Sequence, residues 1–438
     1  MSYPYGQPGY PGQHPPPGQY PPPGQPQQYP PGQWSAPPPP QGYNQPPQGY
    51  YPPGPPPGPP PGPPQGYNQY GPPPGPPGPP QGYPPQGYNQ YPQGQYPPAQ
   101  PPYGQPYPPA PVGPPTPHSL GYGPLPQIQW DANPDARTLR GAMKGFGTDE
   151  KALIRVLCSK DPIQIEAIKA AYFRNFSRTL EKDIMSETRG WFEMGLVAIV
   201  RGPLLHDVHL LHSAMDGPGT KEKVLNDVLL SRSNADMNAI KSMYQQTFHR
   251  PLESDVKGDL SMKTERHFMI VLGANRAEDS APVIPQAIDQ DVMELYRATE
   301  GKVGTDEMMV CSILSTRNDN QIRAINHAYE QKFRRRLEDV IRKEFSGHME
   351  AALLYQLRNA IDKYMHAAAL LEDAMAGLGT KDHLLVSRVV RYHWDKQTLE
   401  NVKGAYHHRY HRSLASRVKG ETSGDYSRLM LGCLGEPV

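Results

Sequence analysis

A six-residue loop recurs along the chain as Met143-Lys-Gly-Phe-Gly-Thr148, Met215-Asp-Gly-Pro-Gly-Thr220 and Met375-Ala-Gly-Leu-Gly-Thr380, with Lys302-Val-Gly-Thr305 as a degenerate fourth copy. The second glycines, Gly147, Gly219, Gly304 and Gly379, stand 72, 85 and 75 residues apart. Self-similarity at this period constrains the fold more than any average property does, because each unit must bury its apolar face against its neighbours. The expected units are approximately 130–201, 202–274, 287–360 and 361–438. The longer step leaves a connection, Asn275 to Gln290, containing Ala281-Pro-Val-Ile-Pro285, so the core reads as two halves of two units.

Within the first unit Ile165, Ile168 and Tyr172 share one helical face, as do Phe192, Leu196 and Ile199. Alternating, strand-like segments are almost absent, so the repeats are expected to be all-α. Thr148 is expected to cap the helix after the first loop, with Asp149 and Glu150 in its first turn, where the helix dipole favours negative charge. Thr305-Asp-Glu307 repeats the arrangement.

Composition sets the boundary of this core. All 43 basic and 42 acidic residues lie at or after Asp131, and of 59 prolines only eight lie beyond residue 130. No Ile, Leu or Val precedes Val112, so nothing there offsets the entropy of ordering. Residues 1–126 are expected to be a disordered Pro/Gly/Tyr/Gln-rich tail, in which Gln-Gly-Tyr-Asn-Gln recurs from Gln41, Gln65 and Gln86, and residues 127–438 the core. Such a tail suits a Pro-motif-binding partner or self-association through its tyrosines, or serves as a spacer.

A formal net charge of +1 argues against finding nucleic acid or anionic lipid by bulk basicity. An acidic partner therefore needs a local device. Cys158, Cys311 and Cys433 are odd in number and far apart in sequence, and read as small buried apolar residues. The opening Met1-Ser-Tyr-Pro-Tyr-Gly has neither the basic region nor the apolar stretch of a secretory signal, so a cytoplasmic protein is expected. Apolar runs such as Met194 to Val200 fall short of the roughly 18 residues that suggest a membrane span, leaving peripheral contact as the expected mode.

The acidic residues give the loops a chemistry. Forty positions beyond Gly147, Gly219 and Gly304 stand Glu187, Asp259 and Glu344, and 42 beyond Gly379 stands Glu421. Calcium takes roughly six to eight oxygen ligands in a flexible shell of carbonyls, carboxylates and water. A glycine loop can offer carbonyls without steric cost, and a distant carboxylate can close the shell if its helix junction lies beside the loop. Open positions then suit lipid phosphoryl oxygens, so that ion and membrane strengthen each other's binding and four sites add avidity.

These loops, the acid 40 residues downstream, the long central connection and the ending Gly420-Glu-Thr-Ser-Gly-Asp-Tyr426 resemble the annexin family over about 308 residues from near Trp130. The tail is similar to those of annexins with long Pro/Gly/Tyr-rich N-termini, and the combination to filamentous-fungal annexins. The resemblance implies about five helices per repeat in a curved, right-handed superhelical disc that docks on acidic phospholipid when calcium rises. By position it implies the carbonyls of Met143, Gly145 and Gly147 with Glu187 for a first site, and Met215, Gly217 and Gly219 with Asp259 for a second. Met375, Gly377 and Gly379 with Glu421 follow for a fourth. Phe146 and Leu378 stand at loop tips able to dip into lipid.

Departures qualify two repeats. Gly301-Lys302 stands where Lys-Gly is expected, leaving Gly304, Glu344 and the carbonyl of Lys302 for the third site. Two extra residues among Lys381 to Tyr410 threaten the approach of Glu421. An enzyme is the weaker reading, because each loop places glycine directly before threonine where a phosphate-binding loop needs lysine. His206, His209 and His212 fit a helix surface better than a metal site, as do His407, His408 and His411. A calcium-independent helical scaffold for proteins is the remaining alternative.

Overall fold

Nineteen α-helices and no strand occur among the residues described by the computed structural model, 113–301 and 304–437. Most of the low-complexity tail, together with Lys302, Val303 and Val438, lies outside them. Repeat 1 comprises α1 (Asn133–Ala142), α2 (Glu150–Leu157), α3 (Pro162–Phe176), α4 (Leu180–Glu187) and the first arm of α5 (Gly190–Met215). Repeat 2 takes the second arm of α5, α6 (Glu222–Leu229), α7 (Asn234–Phe248), α8 (Leu252–Asp259) and α9 (Met262–Leu272). Repeat 3 runs from α10 (Pro285–Thr299) through α11 (Glu307–Thr316), α12 (Asp319–Phe333) and α13 (Leu337–Glu344) to α14 (Gly347–Ile361). Repeat 4 is α15 (Lys363–Met375), α16 (Asp382–His393), α17 (Lys396–Tyr410), α18 (Leu414–Glu421) and α19 (Gly424–Cys433). Five helical segments per repeat follow, because α5 is two helices joined at Gly202 (φ 73°), with Pro203 starting the second.

The third helix of each repeat shows how local sequence sets these elements. Each is 15 residues long and begins on a side-chain cap, Asp161, Ser233, Asn318 or Asp395, that satisfies otherwise orphaned amides. Each ends on a left-handed residue, Ser177, His249, Arg334 or His411. Tyr172, Tyr244, Tyr329 and Tyr406 are fully buried on these helices, and each hydroxyl donates to a carboxylate of its own repeat.

The connection between repeats 2 and 3 is shorter and better held than its composition suggests. α10 begins at Pro285 rather than near residue 287, since proline is suited to a helix's first turn. Residues before it are strapped down: Ala277 N donates to Thr316 O at 2.7 Å, and Asn318 Nδ2 donates to the carbonyls of Glu278 (2.8 Å) and Ala281 (3.1 Å).

Residues 113–126, which composition assigned to the tail, also pack on the core. Ser119 donates from its amide and hydroxyl to Asp236 at 2.8 and 2.5 Å, and Thr116 N donates to Glu278 at 2.7 Å. Tyr122 is buried, donates to Asp207, and lies under the Arg232 guanidinium at 5.0 Å from the ring centre. These few polar side chains recruit a proline-rich segment that has too little apolar surface to order by itself.

Packing does not follow the expected halves. α19 of repeat 4 lies against α2 and α5, while α9 of repeat 2 lies against α11 and α14 of repeat 3. Repeat 1 thus pairs with repeat 4, and 2 with 3. A Cβ on Gly195 would come within 2.6 Å of Leu429, so the first of these contacts needs glycine for its close approach. Cys158 and Cys433, 275 residues apart, meet there with sulfurs 3.7 Å apart. Cys311 is buried in the separate apolar core of repeat 3. α5 is the one described helix long and apolar enough to cross a membrane, yet two thirds of its apolar window (67%) is buried in the fold and its backbone breaks at Gly202.

Charge is buried between repeats as well. Arg388 is 2% exposed and its Nε lies 2.7 Å from Asp227, with Nη1 on the Leu370 carbonyl. Arg391 and Arg232 both reach Asp207, at 2.9 and 2.5 Å. Each carboxylate therefore has its cation, the condition for tolerating ions in a low-dielectric interior.

His206, His267 and His366 are buried without hydrogen-bond partners among the described residues, and burial pushes them down to about 4, 3 and 3. Above the unfolded value near 6.5 both states are neutral and stability is at its full level. As pH falls below it, the unfolded chain takes up protons that the folded chain refuses, and stability is lost on the way toward pH 4. Between pH 6.5 and 5 each site costs on the order of 2 kcal/mol. The melting temperature should drop across this range, where ordinary carboxylates hardly titrate. A flat profile from pH 7 to 5 contradicts the assignment.

Candidate metal-binding loops

Each glycine loop is closed by one backbone bond. The amides of Asp149, Lys221 and Lys381 donate to the carbonyls of Ala142, Ala214 and Ala374 at 2.9, 2.9 and 2.8 Å, each spanning seven positions. In repeat 3 Asp306 N donates to Ala298 O at 2.7 Å across eight, so that loop carries one additional residue. This insertion, more than a simple Gly-Lys exchange, accounts for its irregular sequence, and the carbonyl of Lys302 lies outside the described residues.

Glycine is required here for conformation. Gly145, Gly147, Gly217, Gly219, Gly304, Gly377 and Gly379 all have φ between 81° and 120°, and a Cβ on any of them would meet nothing within 4 Å. An L side chain would fit but would be held in a region that costs roughly 1–2 kcal/mol. The side chains of Met143 and Met375 are buried and anchor the loop, while Phe146 and Leu378 are fully exposed at the tips.

The four acids are brought to these loops in the same way. Glu187, Asp259, Glu344 and Glu421 are the last residues of α4, α8, α13 and α18. The threonine after each second glycine bonds across: Thr220 Oγ1 to Asp259 (2.6 Å), Thr305 Oγ1 to Glu344 (2.7 Å) and Thr380 Oγ1 to Glu421 (2.7 Å). In repeat 1 Thr148 Oγ1 reaches the backbone carbonyl of Glu187 instead, at 3.2 Å.

Threonine is therefore not the helix cap expected from sequence. Asp149 and Asp306 cap α2 and α11, accepting from Ala152 N at 3.0 Å and Met309 N at 3.2 Å, which leaves the hydroxyl free to hold the acid. Nor do the extra residues of repeat 4 displace Glu421. The third helix starts 15 residues after the second glycine in repeats 1 to 3 and 17 after it in repeat 4, the difference being absorbed by the longer α16.

The electrostatic settings differ. The Glu187 carboxylate is exposed and, among the described residues, accepts one hydrogen bond, from Ser186 Oγ at 3.4 Å. Glu344 is held below the usual carboxylate range by Lys343, 2.7 Å away, and by Thr305. Glu421 is held down by Thr380 and then by Arg417, whose guanidinium contacts both its carboxylate and the Met375 carbonyl. Sequence reading missed this arginine, although its place four residues before Glu421 on one helix was a usable signal.

No three His, Cys, Asp or Glu side chains converge among the described residues, so a cation here relies on loop carbonyls with one carboxylate per repeat. That is a hard-oxygen set, suited to calcium and unsuited to softer metals. Repeats 1 and 2 fit it with no ion-pair contact to the acid among the described residues, Arg178 acting on Glu187 only at longer range. His206 is buried, and His209 and His212 pack on Phe248 at 5.5 and 4.0 Å between ring centres, so these histidines serve packing.

Four five-helix repeats, each presenting a glycine loop whose threonine bonds the acidic residue at a helix junction, through its carboxylate in repeats 2 to 4 and through the Glu187 backbone carbonyl in repeat 1, define an all-α repeat protein with a set of candidate cation loops. The chain belongs to the annexin family, whose profile matches residues 134–199, 206–271, 290–355 and 366–433. It is 40% identical to annexin C1 of Cryptococcus neoformans over 309 residues, covering 70% of this chain and 65% of that one. It is 37% identical to human annexin A7 over 311 residues (71% and 63%) and 36% identical to human annexin A5 over 307 (70% and 95%). The chain thus spans slightly less than two thirds of annexins C1 and A7. Among solved structures it is similar to a point mutant of annexin A8 with an intact N-terminus (TM-score 0.67, 33% identity, 71% of this chain and 97% of that one). A calcium-bound annexin (Sm)1 is also similar, with TM-score 0.63 and 28% identity over 73% and 95% of the two chains. Annexins as a family are calcium-dependent phospholipid-binding proteins, typically cytosolic and generally without enzymatic activity.

Proposed function

We propose that this chain binds acidic phospholipid membranes peripherally from the cytoplasm, through calcium held at its repeat loops. The observation that carries the reading is the repetition of one device, a positive-φ glycine loop whose threonine fastens a carboxylate from 40 or so residues away. Met143, Gly145 and Gly147 with Glu187, and Met215, Gly217 and Gly219 with Asp259, form the two sites whose acids make no ion pair among the described residues. Gly304 with Glu344 forms a partial third, and Met375, Gly377 and Gly379 with Glu421 a fourth. A bound divalent ion supplies positive charge that the chain as a whole lacks, and lipid phosphoryl oxygens can complete its shell. Phe146 and Leu378, exposed beside these sites, give the contact an apolar component.

Such a contact suits processes that join or mend membranes when calcium rises, trafficking, vesicle aggregation and repair among them. Sedimentation with vesicles in millimolar calcium tests the lipid side. The chain should pellet with phosphatidylserine-containing vesicles and stay in solution with pure phosphatidylcholine. Equal pelleting with both, or with neither, rejects calcium bridging to anionic headgroups.

A further inference from the structure

Position four of the helix that ends on the site acid is Asp183 in α4, Asp255 in α8 and Val340 in α13, but Arg417 in α18. Repeat 1 pairs Arg140 on its first helix with Asp183 at 3.3 Å; repeat 4 reverses the charges, pairing Glu372 at the matching place with Arg417 at 3.3 Å. Reversal has a geometric consequence. A carboxylate at this position is short and is used up by its tyrosine and arginine partners, whereas the longer guanidinium continues past Glu372. Its Nη1 donates to Glu421 Oε1 and its Nη2 to the carbonyl of Met375. Arg417 is mostly buried, so these are charge-assisted bonds in a partly desolvated place.

We infer that Arg417 supplies loop 4 with an internal cation: it holds the carbonyl of Met375 and the carboxylate of Glu421, two oxygens that loops 1 and 2 leave available. Calcium enters loop 4 only by displacing the guanidinium, so this loop fills at a calcium concentration at least tenfold above that of loops 1 and 2. The inference rests on the calcium reading of the loops, and it makes the chain respond in two stages. Loops 1 and 2 engage first; loop 4 follows when calcium rises further, or when a membrane already held nearby raises the local concentration of headgroups.

Single tryptophans at the exposed tips report each loop separately. In the full chain without lipid, calcium is titrated against the emission of Phe146→Trp and of Leu378→Trp, with the parent chain subtracted. The repeat 1 reporter should respond first and the repeat 4 reporter at least tenfold higher. Adding Arg417→Gln should lower the repeat 4 midpoint by at least tenfold and leave the repeat 1 midpoint in place, which also shows that the fold is kept. If that variant does not fold, Arg417→Met, which retains more of the packed stem, replaces it. Coincident midpoints in the parent, or a repeat 4 midpoint indifferent to Arg417, overturn the inference alone. Silence of the repeat 1 reporter overturns the underlying calcium reading, and the inference with it.

Discussion

The double substitution Glu187→Gln, Asp259→Asn raises the calcium needed for half-maximal vesicle binding by at least about tenfold, equivalent to about 1.4 kcal/mol or more. Both changes preserve shape and remove charge. The carboxamide introduced in repeat 2 could still accept from Thr220 Oγ1, which donates to the Asp259 carboxylate at 2.6 Å, so the loop should keep its conformation while losing a formal charge from its shell. The effect is large because neither acid is held in an ion pair among the described residues and because sites on one membrane act together. The check is a calcium titration of vesicle binding on both chains with melting temperatures measured in parallel. An unchanged requirement shows that the two carboxylates are not ligands.

Substituting Arg388 by Leu has the largest expected effect on stability. It strands the Asp227 carboxylate, 7% exposed, beside repeat 4 without the guanidinium now 2.7 Å away. Breaking one partner of a buried pair costs roughly 3–5 kcal/mol, because the remaining charge is left desolvated. Thermal unfolding should shift down by several degrees. The double variant Asp227→Asn, Arg388→Met should recover part of the loss, since no unpaired charge remains. If the single variant melts with the parent, the pair does not hold repeats 2 and 4 together.

Much of this architecture was legible because the repeats announce it. The loop period located the helix junctions, the helical faces of Ile165, Ile168 and Tyr172 are buried as periodicity implies, and the spacing of 40 placed Glu187, Asp259 and Glu344 beside their loops. What escaped depends on contacts between distant segments. Pairing of repeat 1 with 4 and 2 with 3 is decided by surfaces such as Gly195 against Leu429, which leave no local pattern. Thr148 satisfied a capping rule that Asp149 satisfies better, so its bond to Glu187 was hidden by a plausible local role. Residues 113–126 looked like tail because their ordering comes from Asp207, Asp236 and Glu278 elsewhere in the chain. The one-residue insertion in loop 3 was masked by the surviving Gly-Thr pair.

The central claim is that membrane attachment passes through calcium at the loops. Its most direct measurement is flotation of the full chain with phosphatidylserine vesicles across stepped free calcium, followed by excess chelator. Binding should be absent without calcium, rise to saturation by the millimolar range, and reverse completely when the chelator is added. Attachment that is equal in chelator and in calcium, or absent at every calcium concentration, contradicts the claim.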